Sequence, residues 1–184
     1  MVSGVPRSGT SLVMQMLAAG GLPVLADAAR PADRHNLRGY QEYEPVKALR
    51  RDASWLPLAR GRALKVIHAL VTALPEGFDY RLVLVQRDLR QVVASQEAML
   101  AGEGDAGPTP DPRRLVEIFE AQLGELDAWL DSRPDVQVLR LEHAALLAGP
   151  EPAAAALAAF LGGGLDIEAM AAAVDPTLHH QRPD

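Results

Sequence analysis

The chain contains no cysteine. Disulfides, thiolate metal sites and a cysteine nucleophile are therefore excluded. No stretch approaches the ~18 uninterrupted apolar residues that a membrane-spanning helix needs, so no membrane span is expected. The opening residues lack the basic leader and apolar core of a secretory signal. An excess of basic residues is missing too, because 18 Lys and Arg face 24 Asp and Glu for a net charge of −6. That balance disfavours nucleic acid as a partner. A small anion stays possible, since a local cluster binds it whatever the net charge. These absences point to a cytoplasmic protein.

What is present suits a single domain covering residues 1–184. Hydrophobic residues make up 48% of the chain and charged residues 23%, the balance of a globular protein. A chain of this length buries about 70% of its unfolded surface, enough for a sizeable core. Runs rich in Val, Ile and Leu fall at residues 2–5, 63–68, 81–86 and 136–142, with a shorter one at 22–25. Continuous apolar runs of this length suit buried parallel strands. Helices are expected between them, at residues 9–20 and 88–101, from Asp111–Pro112 onward, and at 151–161 and 166–173. Beyond Pro112, Leu115, Ile118, Phe119, Leu126, Trp129 and Leu130 make an apolar stripe at helical spacing. Alternating strands and helices predict an α/β fold with a mainly parallel sheet of about five strands. Residues 26–40 and 102–112 carry no periodicity and are expected to be long functional loops.

Residues 4–11, in the run SGVPRSGTSLVMQML, place Gly4, Gly9, Thr10 and Ser11 between the first strand and its helix. Small residues let backbone approach an anion, and a helix N-terminus offers unpaired N–H groups and partial positive charge. This is the pattern of a phosphate-binding loop, and with it the expected fold becomes a P-loop NTPase-like three-layer α/β/α arrangement. A nucleotide-hydrolysing P-loop reads GxxxxGK[ST], with its lysine on the β- and γ-phosphates. Thr10 stands in the place of that lysine, and Arg7 is the cation within the loop.

The segment VPRSGTS resembles the 5′-phosphosulfate loop of sulfotransferases that use 3′-phosphoadenosine 5′-phosphosulfate (PAPS), in the form seen in the tyrosylprotein and carbohydrate branches and in small bacterial members. The run RLVLVQRDLRQVVASQEAML resembles the 3′-phosphate element of the same family. There a strand ends in Arg-Asp-Pro-Arg, with a Ser eight residues after the first Arg; Arg87 and Ser95 match that spacing, and Leu89 replaces the proline. The resemblance implies that Arg7, Ser8, Gly9, Thr10, Ser11, Arg87 and Ser95 bind PAPS. It implies no metal and an acceptor that is a small molecule or carbohydrate; a homodimer stays open. A planar guanidinium leaving the carboxyl end of a parallel strand suits a phosphate physically. The stretch at 136–162 resembles a family segment in which a strand ending Tyr-Glu leads to a helix ending Phe-Leu-Gly, with Leu141 in the aromatic's place. The final VDPTLHHQR resembles a bacterial tail whose Arg182 reaches a phosphate.

Sulfuryl transfer to a hydroxyl also needs a proton acceptor within hydrogen-bond reach. The resemblance offers Glu42 and Glu44 in RGYQEYEPVKAL, and His68 in LKVIH, which is one residue out of register with the family's Lys-Thr-His pattern. Glu42 is the first candidate and His68 the second, while Arg7 is expected to act on the leaving phosphate. Two other functions remain open: a P-loop nucleotide binder or kinase-like phosphotransferase, and a non-catalytic binder of PAPS or its product.

Overall fold

From Leu82 to Val85 the chain is uninterruptedly apolar. A computed structural model, which describes residues 1–27, 39, 41–103 and 111–175, makes this run the middle of a parallel sheet. Strand β2 (Tyr80–Gln86) pairs with β1 (Val2–Ser3) on one side and β3 (Val136–Glu142) on the other, both in parallel. Successive side chains of a strand point to opposite faces. Val83 and Val85 accordingly enter one core cluster, and Leu82 and Leu84 another.

Helices cover both faces. The helix following β1, α1 (Thr10–Ala19), supplies Val13, Met14, Met16 and Leu17 to the cluster of Val83. A one-turn helix, α2 (His68–Val71), precedes β2, and α3 (Leu89–Glu103) and α4 (Pro112–Asp131) join β2 to β3. Leu126 and Leu130 of α4 pack with Leu82 and Leu84 on the opposite face. After β3 come α5 (His143–Ala148), α6 (Pro150–Leu161) and α7 (Ile167–Ala172); Leu157 and Met170 join the first cluster. Starts of α3 and α4 follow the capping chemistry read from sequence. Asp88 accepts from the N–H groups of Arg90 and Gln91 at 2.8 and 3.1 Å, and Asp111 from that of Arg113 at 3.0 Å.

The expectation of about five strands is corrected. Among the described residues three strands form; residues 22–25 contribute one isolated parallel bridge, Val24 with Ala63, and residues 63–68 take part in that bridge and in a second, Lys65 with Val2. Pro23 has no N–H to donate to a ladder; it only accepts, from Ala63 at 2.7 Å. Residues 63–66 flank Val2, with Val2 donating to Leu64 and Val66 donating to Val2, before the chain turns into α2 at His68. Between the two bridged stretches the described residues include two 3-10 turns, Glu44–Ala48 and Leu56–Ala59, with Tyr43 packed edge-on against Trp55. Of the two long loops, residues 28–38, 40 and 104–110 lie outside the described residues, as does Arg182. Among the described residues, no helix is long and apolar enough to cross a membrane.

Because β2 is buried on both faces, it should tolerate truncation poorly. Leu84→Ala is expected to cost about 2–5 kcal/mol, read as a lowered urea midpoint with an unchanged slope.

Candidate functional site

β1 ends at Ser3, and residues 4–9 turn across the carboxyl end of β2 before α1 begins. The turn is tight. A Cβ on Gly4 would lie 2.4 Å from Ser8 Oγ and 2.7 Å from the Val85 carbonyl. Ser8 closes the bend by donating its N–H to the Val5 carbonyl at 3.1 Å, and its buried hydroxyl, which has no hydrogen-bond partner, faces Gly4. Gly9 caps α1 with φ of 103°, and no side chain caps the helix. The amides of the first helical turn therefore lack intrahelical acceptors and face outward as anion donors.

Three residues on the Arg7 side of this loop come together from separate parts of the chain. Arg7 Nε donates to Ser95 Oγ at 3.2 Å, and Arg87 Nη1 donates to the Arg7 carbonyl at 3.0 Å. Arg7 holds a left-handed φ of 66°, which turns its carbonyl toward Arg87. A non-glycine residue pays roughly 1–3 kcal/mol for such a conformation. Neither guanidinium forms an ion pair with a carboxylate among the described residues. Burial, and after it the charge of Arg7, holds Arg87 below its ordinary pKa, while Asp88 acts in the opposite sense.

On the α1 side lies a cation that the sequence reading passed over. Lys65, on the segment bridged to Val2, sets its Nζ 3.2 Å from Ser11 Oγ and 3.2 Å from Glu42 Oε1. Arg7 is thus not alone beside the loop. The lysine stands 54 residues from Ser11 along the chain, so a search within residues 4–11 could not find it. The signal was its place in LKVIH, next to the strand that leads into the loop.

The three base candidates separate. Glu42 joins Lys65 beside Ser11, whereas Glu44 forms an exposed ion pair with Lys47 at 2.8 Å. His68 is 3% exposed and packs edge-on against Phe119, with Nε2 2.7 Å from Gln122 Oε1. It starts α2 and does not close the apolar run at 63–68 as a strand residue. Burial lowers its pKa; Gln122 and then the Gly4 backbone pull weakly the other way. The Gly4 contribution is that of a near neighbour, because Nδ1 completes no hydrogen bond. A second histidine was also missed. His143, the first residue after β3, lays its ring against Gly9, with Cδ2 only 2.5 Å from where a Cβ would stand.

No protein-family model matches this chain, and neither does any curated protein or solved structure. The geometry and the motifs carry the functional reading.

Gly9→Ala meets both the His143 ring and an unfavourable φ, and is expected to lower stability by at least about 1 kcal/mol in urea titrations. Adding His143→Ala should recover part of that loss, since only the φ strain remains. His68 is held neutral by the fold, so the unfolded chain takes up its proton first as pH falls below about 6.5. Stability should decline below that pH, and His68→Gln should flatten the decline in urea midpoints compared between about pH 7.5 and pH 5.5.

Proposed function

We propose that the chain is a PAPS-dependent sulfotransferase with a P-loop NTPase-like α/β fold, acting on a hydroxyl or amine of a small-molecule or carbohydrate acceptor. The observation that carries this reading is the meeting of Arg7, Arg87 and Ser95 at one side of the loop. A nucleoside triphosphate has no 3′-phosphate, so a second cation and a hydroxyl outside the phosphate loop, Arg87 and Ser95, suit a nucleotide phosphorylated at both ends. The residues present fit such a ligand: a glycine-lined turn, open helix amides and three cations without a fully buried counter-charge.

PAPS supplies the sulfuryl group, whose bond to the 5′-phosphate oxygen breaks as the acceptor oxygen or nitrogen bonds to sulfur. The chain's task is then positioning and charge neutralisation, as in phosphoryl transfer. Lys65 Nζ, at Ser11, stands where it can hold the leaving phosphate together with Thr10, Ser11 and the amides of α1. Glu42, beside Lys65, is the base that takes the acceptor's proton. Its ion pair with Lys65 at 3.2 Å keeps the carboxylate oriented. The burial of His68 and its engagement with Gln122 and Phe119 make it a packing residue against α4 in preference to a base.

A second reading has one observation in its favour. Lys65 beside Ser11 supplies the loop cation that Thr10 had removed from the sequence pattern, so a kinase-like phosphotransferase using ATP and magnesium remains a competitor. Titration calorimetry separates the two: 3′,5′-ADP is expected to bind more tightly than ATP with magnesium, and Arg87→Ala to weaken 3′,5′-ADP by about tenfold or more. Preference for ATP would sink the sulfotransferase reading. Binding of 3′,5′-ADP without any PAPS turnover across hydroxyl and amine acceptors would identify a non-catalytic binder.

A further inference from the structure

Glu42 reaches Lys65 from a stretch of backbone fastened by one residue far from it in sequence. The Asp27 N–H donates to the Glu42 carbonyl at 2.9 Å, and the Asp27 carboxylate accepts the Glu44 N–H at 2.6 Å. Asp27 thus grips the chain on either side of Tyr43. The residues leading to Asp27 are in turn registered against those leading to Lys65. Ala63 donates to the Pro23 carbonyl at 2.7 Å and Leu25 to the Ala63 carbonyl at 2.8 Å, around the parallel bridge of Val24 with Ala63. Asp27 lies two residues beyond Leu25, and Lys65 two beyond Ala63, so both advance equally in the same direction. Glu42, held by Asp27, meets Lys65 Nζ at 3.2 Å, and Lys65 meets Ser11 Oγ at the same distance. We infer that Asp27 is the positioning residue of Glu42, fixing where its carboxylate stands relative to Lys65 and Ser11. The inference rests on the reading of Glu42 as the base of sulfuryl transfer.

Two observations explain why Glu42 needs such a hold. Gln41, directly before it, has a left-handed φ of 50°. A non-glycine residue keeps that conformation only where its surroundings over-determine it, and the Asp27 grip begins at the next residue. The ion pair itself is also open to water, with 29% of the Glu42 side chain and 14% of the Lys65 side chain exposed. A pair so exposed gains little from its charges and must offset the entropy of ordering two flexible side chains. Fixing the Glu42 backbone lowers that cost before the side chains meet. The bond that does so is short and accepted by a carboxylate, the stronger class of hydrogen bond. A base has to stand within hydrogen-bond reach of the proton it takes, so its placement bears directly on the chemistry.

The chain has two lysines, Lys65 and the exposed Lys47, which makes amine acylation a selective probe. Only the uncharged amine reacts, and a neighbouring carboxylate favours the ammonium form. The folded full chain is treated with limiting acetic anhydride, and peptide mass spectrometry reads acetylation of Lys65 relative to Lys47. Asp27 is exposed, so its truncation leaves no cavity. Asp27→Ala should raise the ratio by about three- to tenfold, the worth of one hydrogen bond to a charged group. Asp27→Asn, whose amide oxygen can accept the same Glu44 N–H, should stay within about twofold of wild type. In Glu42→Gln, which lacks the carboxylate, adding Asp27→Ala should change the ratio by less than about twofold, because Asp27 acts through Glu42. An equal rise in both backgrounds would mean that Asp27 only braces the turn, and would overturn the inference. No rise in Asp27→Ala, or an Asn variant that behaves like the Ala one, would overturn it as well. No nucleotide enters this measurement, so its failure leaves the PAPS reading to the 3′,5′-ADP titration. Conversely, a chain that prefers ATP would lose the sulfotransferase reading and keep the placement of Glu42 by Asp27.

Discussion

The structure depends on how closely the backbone of residues 4–9 lies against the strands beneath it. Gly4 leaves no room for a side chain between Ser8 and the Val85 carbonyl, and Gly9 leaves none in front of the His143 ring. The loop is thereby fixed to the end of β2 and to the residue after β3 at once. Atoms this close cannot shift independently in a densely packed interior. The donors at the start of α1, the Arg87 side chain at the end of β2 and the Ser95 hydroxyl on α3 therefore keep a common frame.

Within that frame the arginines divide by what surrounds them. Arg133 is a structural cation. Its guanidinium bonds Asp135 at 2.6 and 2.7 Å and the Leu74 and Pro75 carbonyls at 2.8 and 3.2 Å, and it stacks over Trp129 at 4.5 Å. All three of its nitrogens donate, and the charge is neutralised by the carboxylate beside it. Arg7 and Arg87 are arranged differently. They are partly buried, lie near one another, and bond to a hydroxyl, a side-chain amide and a carbonyl, none of which carries negative charge. Their positive charge is left without a carboxylate partner among the described residues, beside a left-handed backbone at Arg7, and strain of this kind gathers at functional sites.

The carboxyl ends of β1 and β2 give the site its polarity. Lys65 and Glu42 stand on the side of the 63–66 segment, and the arginines and Ser95 on the side of α3. Ligands of parallel α/β folds bind outside the carboxyl ends of the strands, where loops diverge to opposite faces of the sheet. Divergence separates the two cation groups here, Lys65 on one side of the loop and the arginines on the other.

Much of this was written in local sequence. The apolar run at 82–85 required a doubly buried strand, the Asp88 and Asp111 caps required helices where α3 and α4 begin, and small residues at 4, 9, 10 and 11 required a tight strand-to-helix turn, because each follows from short-range sterics and hydrogen bonding. Residues 63–68, and more briefly 22–25, looked like strands since their composition is apolar, yet pairing length depends on neighbours and on Pro23, and between them they keep isolated bridges only. Contacts across tens of residues were beyond reach of any local pattern. The approach of Lys65 to Ser11, the turn of Arg7 toward Ser95 and the His143 ring on Gly9 come from the way the parallel strands stack side by side. Sequence determined that a tight glycine-bearing turn joins the first strand to its helix and which residue types line it; only the tertiary structure decided which side of the loop each cation takes, since a side chain's direction is set by packing against elements distant in the chain.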